Sequence, residues 1–244
     1  MIRFATVLYS LIAYAAFQAV ALYGVGFLAG VLTPTSLDGP PRSPLPVALA
    51  IDLGLLAAFA LQHSGMARPA FKRWWTRIVP EAIERSTYVL VSSLLMVALY
   101  VHWQPIGPVL WRAADGWPRN AVIGLNLFGW AVLLYATFLI DHFDLFGLKQ
   151  VWGRMTGAQA RKPQFYTPSL YRLVRHPIYV GWLTIFWAAP VMTVAHLVFA
   201  VMTTAYILIA IQLEERDLID VFGATYVDYR RRTPMLIPRP WRTR

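Results

Sequence analysis

Cysteine is absent from all 244 residues. Disulfides, thiolate metal sites and cysteine nucleophiles are therefore excluded. Charge is scarce too: Asp, Glu, Lys and Arg make up 14% of the chain, where a soluble domain carries about 25%. Acidic residues are the scarcer sign, 12 against 22 Lys and Arg, which leaves a net charge of +10. Apolar residues fill the gap, at 58% of the chain with a mean hydropathy of +0.51. Such a chain is expected to be an all-α integral membrane protein, and at this length a single domain, 1–244.

Long polar interruptions separate the apolar runs. Residues 8–32 are too long for the apolar core of a signal peptide and lack a clear small-x-small cleavage site, so they read as a first span. Residues 33–46 hold Pro34, Pro40, Pro41, Pro44 and Pro46, which forbids helix and predicts a loop. Spans follow at 47–62, 86–103 and 121–140, which makes 1–140 a set of four. Between the second and third, 64–85 carries Arg68, Lys72, Arg73, Arg77 and Arg85 among Phe71, Trp74 and Trp75, the composition of a segment lying at headgroup depth. Residues 141–244 hold a polar segment, a helical hairpin with legs at 178–193 and 195–213, and a basic tail. The first leg is short enough to be re-entrant, so the count is five to six transmembrane helices.

Nineteen of the 22 Lys and Arg lie in the N-terminus, 64–85, 141–177 and 213–244; only Arg42, Arg112 and Arg119 lie in 33–46 and 104–120. The basic segments alternate as six crossings require, with both termini cytoplasmic. Topology and anionic lipid explain the positive charge, and nucleic acid is not needed.

The hairpin brings two polar ends to one membrane face. Arg175-His176-Pro177-x-Tyr179-x-Gly181 opens it, and Glu214-Glu215, Phe222-Gly223, Tyr226 and Tyr229 close it. Two carboxylates at a helix end oppose the helix dipole. Arg175, Arg216 or Arg230 is expected to pair with one of them and leave the other for a ligand. Gln62-His63-Ser64 and Asp141-His142-Phe143-Asp144 converge on the same side. No spacing among the five histidines matches a metal motif.

These motifs resemble the C-terminal signature of the membrane methyltransferases, a superfamily that includes isoprenylcysteine carboxyl methyltransferases and phospholipid methyltransferases. Earlier motifs narrow the resemblance: Pro34-x-Ser36-x-Asp38-Gly39, Gln62-His63-Ser64-x-Met66-Ala67-Arg68-Pro69, Glu84-Arg85-Ser86-x-Tyr88 and Asp141–Leu148. Together they are similar to the methanethiol S-methyltransferases of bacterial membranes and to NnrU-like proteins, and the resemblance covers nearly the whole chain.

The resemblance implies S-adenosylmethionine as cofactor, a cytoplasmic cofactor pocket and an active site facing the cytoplasm from the bacterial inner membrane. It carries Arg175, His176, Tyr179, Gly181, Glu214, Glu215, Tyr226, Tyr229 and Arg230 to the cofactor, with Tyr166 and Tyr171 closing the pocket. Gly181 is expected to admit close backbone approach by the ligand. It implies a small volatile thiol as substrate. A simple thiol has a pKa above the 8.5 or so of cysteine, so a base or a stabilising field is useful. His142 with Asp144 is the first choice, and His63 is the second. Arg68 or Lys72 would stabilise thiolate. Because His142 and Asp144 are two apart, the pairing requires that the fourth span has ended or bent. An interfacial histidine on a backbone carbonyl is the plain alternative for each. Methylation of a lipid or prenyl-cysteine, reduction with NADPH, and a non-catalytic NnrU-like role stay open as rivals. Oligomeric state is not legible.

Overall fold

The computed structural model describes residues 2–156 and 164–239. Of the basic residues that set the expected orientation, Arg161, Lys162, Arg242 and Arg244 lie outside the described residues. Ten α-helices and two short strands occur among the described residues. Phe4–Ala29, Leu45–Ala67, Glu81–His102, Trp117–Leu139 and Val194–Phe222 are long and apolar enough to cross a membrane, and many large apolar side chains on them are exposed. The protein is multi-pass. Proline starts several helices, at the first or second position of α2 (Leu45–Ala67), α3 (Pro69–Trp75), α5 (Trp117–Leu139) and α8 (Pro177–Trp187). No amide hydrogen is missed there, and the fixed φ suits the first turn.

Contacts divide the chain into two compact units. The first comprises Met1–Trp111, Phe143–Arg161 and Val191–Phe199. In it α4 (Glu81–His102) packs on α1 (Ile2–Ala29) and α2. Polar bridges cross the helix faces, Ser86 to Ser10 at 2.8 Å and Tyr9 to Thr87 at 3.0 Å. At the other end of α4, Trp103 is buried against Phe27 and Phe199 and donates to Leu37 O. Strands β1 (Val109–Arg112) and β2 (Val191–Thr193) pair there. Asp38 accepts from Thr193 and lies 3.2 Å from His196 Nδ1, which fixes the proline-rich loop.

The second unit comprises Arg112–His142, Lys162–Pro190 and Ala200–Arg244. Its main contact is α5 against α8, which pass so closely that a Cβ on Gly181 would lie 2.8 Å from Leu133 N and 2.9 Å from Gly129 O. The expected first leg, 178–193, is only partly helical. Helix α8 stops at Trp187 after 11 residues, about 16 Å; Ala189 N then donates back to Trp187 O in a tight turn, and the Pro190 carbonyl accepts from Ala113 N just before α5.

A helix end at this depth must have its carbonyls satisfied by protein. Asn126 supplies the donors: its Nδ2 reaches Ile185 O at 3.0 Å and Ala188 O at 3.1 Å. Asn126→Leu is expected to destabilise the protein by about 1–3 kcal/mol, the cost of leaving buried acceptors unpaired. Thermal unfolding in detergent checks this, and an unchanged midpoint would refute it.

The last long helix, α9 (Val194–Phe222), also departs from expectation. It does not stop at Leu213 but continues through the Glu214-Glu215 pair for 29 residues in all. Glu, Arg, Asp and Leu are all compatible with helix there, and the helix ends only at Gly223, whose φ is 56°. Helix α10 (Ala224–Arg232) follows. The carboxylates therefore lie within a helix, and the helix-end dipole argument does not apply to them.

Candidate active site

Glu214 lies twenty residues after α9 begins, about one bilayer thickness along its axis. Its neighbour Glu215 points inward and is 4% exposed. A buried carboxylate needs a partner, and the first turn of α8 and the loop before it provide two. Arg175 Nε donates to Glu215 Oε1 at 2.7 Å, and His176 Nε2 lies 3.0 Å from the same oxygen. Arg230 Nη1 stands 3.8 Å from Oε2. Arg175 also holds the tail, with Nη1 donating to Thr233 O at 2.6 Å and Arg230 O at 3.1 Å. The backbone continues the seam, Arg175 N to Pro234 O and His176 N to Met235 O. Arg175 is thus a clamp joining α9, the start of α8 and the end of α10. Its geometry is that of a positioning residue, where the sequence suggested a ligand contact.

Glu214 differs. Its side chain is 42% exposed, and Oε2 accepts from Tyr179 at 3.1 Å with His176 Nδ1 at 3.9 Å. One carboxylate is spent on the fold and the other is presented. Around them stand aromatic rings. Phe165 packs on Phe222, Tyr226 and Tyr229 with centroids 5.3–5.9 Å apart, and Tyr229 donates to Tyr171 O. Burial pushes the Tyr229 phenol up to about 12 and raises Tyr171 and Tyr226 as well, so all three stay protonated donors at neutral pH. The Tyr226 hydroxyl is buried with no hydrogen-bond partner among the described residues. A cavity of about 550 Å³ opens beside this cluster, lined by Phe165, Thr167, Arg172, Thr225, Asp228 and Tyr229. Tyr166 is half-exposed on the same segment. Gly181 is taken up by packing against α5, and its close approach is to protein backbone.

His142 also belongs to the second unit. Helix α5 ends at Leu139, Asp141 adopts φ 92°, and α6 (His142–Leu145) starts a new direction, so the chain turns where the sequence required. The imidazole is buried and stacked on Phe138, 4.4 Å between centroids. Thr137 Oγ1 donates to Leu134 O and lies 3.0 Å from His142 Nδ1. Burial lowers the His142 pKa below the ordinary 6.5, so the imidazole is neutral at pH 7. Asp144 is exposed and accepts from Gln150 Nε2 at 3.0 Å.

His63 and Arg68 belong to the first unit. The His63 ring lies 2.9 Å from Tyr88 Oη and stacks on Phe59, and Arg68 Nε donates to Ser64 O at 3.1 Å. Sequence reasoning missed Asn126 and Thr137. A lone Asn within an apolar span was the available signal for the first; nothing marked the second.

Comparison with known proteins then decides the family. The chain is 50% identical over 231 residues to a methanethiol S-methyltransferase of Crocosphaera subtropica, covering 95% of this chain and 91% of that one. It is 49% identical to methanethiol S-methyltransferase 2 of Bradyrhizobium diazoefficiens, over 97% and 91% of the two chains. It is 45% identical to a methanethiol S-methyltransferase of Mycobacterium tuberculosis, over 99% of each. This chain belongs to the methanethiol S-methyltransferase family. Residues 122–225 also match the phospholipid methyltransferase family model, and no solved structure matches. The matched stretch contains Asn126, His142, Arg175, His176, Tyr179, Glu214 and Glu215; Tyr226, Tyr229 and Arg230 fall just beyond it. As a family member the protein is a membrane-embedded methyltransferase, and the Arg175, His176, Tyr179, Glu214 and Glu215 part of its polar cluster lies within the stretch matched by the phospholipid methyltransferase model.

Proposed function

We propose that the protein transfers a methyl group from S-adenosylmethionine to methanethiol, giving dimethyl sulfide, S-adenosylhomocysteine and a proton. Identity near one half along almost the whole chain to proteins of that name carries this reading. The site's chemistry fits the donor. A presented carboxylate suits an ammonium or ribose hydroxyls, the aromatic wall of Phe165 and Tyr229 suits a base, and the orphaned Tyr226 hydroxyl has a hydrogen bond to give.

In this reading Glu214, Tyr179, Tyr226 and Tyr229 hold the cofactor. Arg175, His176, Glu215 and Arg230 hold the frame that aims them, and Tyr166 closes the rim. S-adenosylmethionine, when bound, supplies an electrophilic methyl group on a sulfonium. The protein's own task is to position the thiol in line and remove its proton. His142 takes that proton, with Asp144 providing negative field nearby in the chain; His63 and Arg68 are the alternatives in the first unit. The concentration of basic residues supports a cytoplasmic orientation of this face with anionic lipid around it, and the bacterial relatives support an inner-membrane location.

Activity requires neutral His142, and its pKa is depressed, so the acid limb of the rate should lie below pH 6.5. The rate falls as pH drops through the depressed pKa, not at 6.5 itself. His142→Ala should lower turnover roughly 10²–10⁴-fold and remove the limb while cofactor binding persists. Headspace detection of dimethyl sulfide across pH measures this, and an unaltered profile in the variant would exclude His142.

A further inference from the structure

We infer that α3 and the turn after it form a docking surface for anionic phospholipid headgroups, with Arg73 and Arg77 as the phosphate-facing pair. Helix α2 ends at Ala67 and α4 begins at Glu81. Both are membrane-crossing candidates, so the thirteen residues between them, 68–80, must turn at the bilayer surface. No acidic residue occurs between Asp52 and Glu81, yet the connection contains Arg68, Lys72, Arg73 and Arg77.

The structure sorts these residues. Helix α3 is prolonged past Trp75 by turns, Arg77 N to Trp74 O and Ile78 N to Trp75 O. Exposure recurs at i, i+4: residues 73 and 77 face outward, and so do 74 and 78. All four are exposed, Trp74 by 50% and Ile78 by 65%. Phe71, Trp74 and Trp75 pack on one another with centroids 5.4–5.8 Å apart, which stiffens the surface. Two guanidiniums beside an indole and an isoleucine match the two levels of a lipid at the interface: phosphate outside, glycerol and upper acyl carbons beneath. Guanidinium binds phosphate bidentately, which a surface lysine cannot. Charge complementarity selects anionic headgroups over zwitterionic ones. The inference rests on the membrane placement of α2 and α4 and not on the methyl acceptor, so either can fail without the other.

The test is native mass spectrometry of the full-length protein released from micelles containing equal phosphatidylglycerol and phosphatidylcholine. The wild type should retain phosphatidylglycerol preferentially, and Arg73→Gln/Arg77→Gln should reduce that preference roughly tenfold. Arg73→Lys/Arg77→Lys should keep part of it, and Arg42→Gln/Arg112→Gln, in other loops, all of it. Methyl transfer in detergent should be unchanged in every variant, which shows that each is folded. Equal retention of the two lipids by the wild type, or an undiminished preference in Arg73→Gln/Arg77→Gln, overturns the inference.

Discussion

Arg175→Ala should cost the protein about 3–5 kcal/mol of stability, the penalty for stranding a buried charge. In a chain of this size that corresponds to a fall of about 10 °C in the unfolding midpoint. Glu215 is the charge left behind. Its side chain is 5% exposed and depends on Arg175 at 2.7 Å, with His176 Nε2 at 3.0 Å and Arg230 at 3.8 Å as what remains. The same substitution releases Thr233 O and Arg230 O, so the tail would detach from the start of α8 as well. Thermal unfolding in detergent measures the loss. Replacing both partners, Arg175→Met with Glu215→Leu, should recover much of it, because a well-packed apolar pair need not be less stable than a buried ion pair. A single variant as stable as the wild type would show that Arg175 is no clamp.

Glu214→Gln should do the opposite: keep the fold and lose the ligand. The side chain is 42% exposed and, among the described residues, only Tyr179 hydrogen-bonds it, so stability should change by less than about 1 kcal/mol. Removing a carboxylate that meets a cationic or hydroxyl-bearing ligand costs about 1.5–3 kcal/mol, a weakening of roughly 10–150-fold in S-adenosylmethionine affinity. Calorimetric titration in detergent reads the affinity, and the unfolding midpoint of the same sample reads the fold. Unchanged affinity would remove Glu214 from the site.

These two neighbours show what was legible in the sequence. Arg175-His176 and Glu214-Glu215 stand at opposite ends of an apolar hairpin, so an expectation that they meet required only helix geometry and bilayer thickness. The division into one paired and one presented carboxylate was expected from a helix-end dipole that does not exist within α9, although the pairing itself is found. Which arginine would act was open: the structure uses Arg175 and Arg230 and leaves Arg216 aside. The four N-terminal spans were likewise legible, because long apolar runs bounded by proline and charge admit one reading.

Other features depended on tertiary contacts that composition does not encode. An apolar run at 178–193 looks helical throughout, yet α8 stops at Trp187 because Asn126, far away in sequence, is there to satisfy Ile185 O and Ala188 O. Gly181 sits among ligand-directed motifs, but its missing side chain makes room for the backbone of α5. The stop assigned at Leu213 trusted the end of hydrophobicity, although a helix can leave the membrane without ending, and α9 does so until Gly223.

The central claim is that the methyl group of S-adenosylmethionine moves to methanethiol at a site organised on Glu214. The most direct measurement supplies purified protein with methanethiol and S-adenosylmethionine deuterated in its methyl group, and analyses the headspace by gas chromatography with mass detection. Dimethyl sulfide carrying one deuterated methyl, formed only with both substrates and lost in Glu214→Gln, is the result expected. Unlabelled product, or labelled product formed equally by Glu214→Gln, would contradict it.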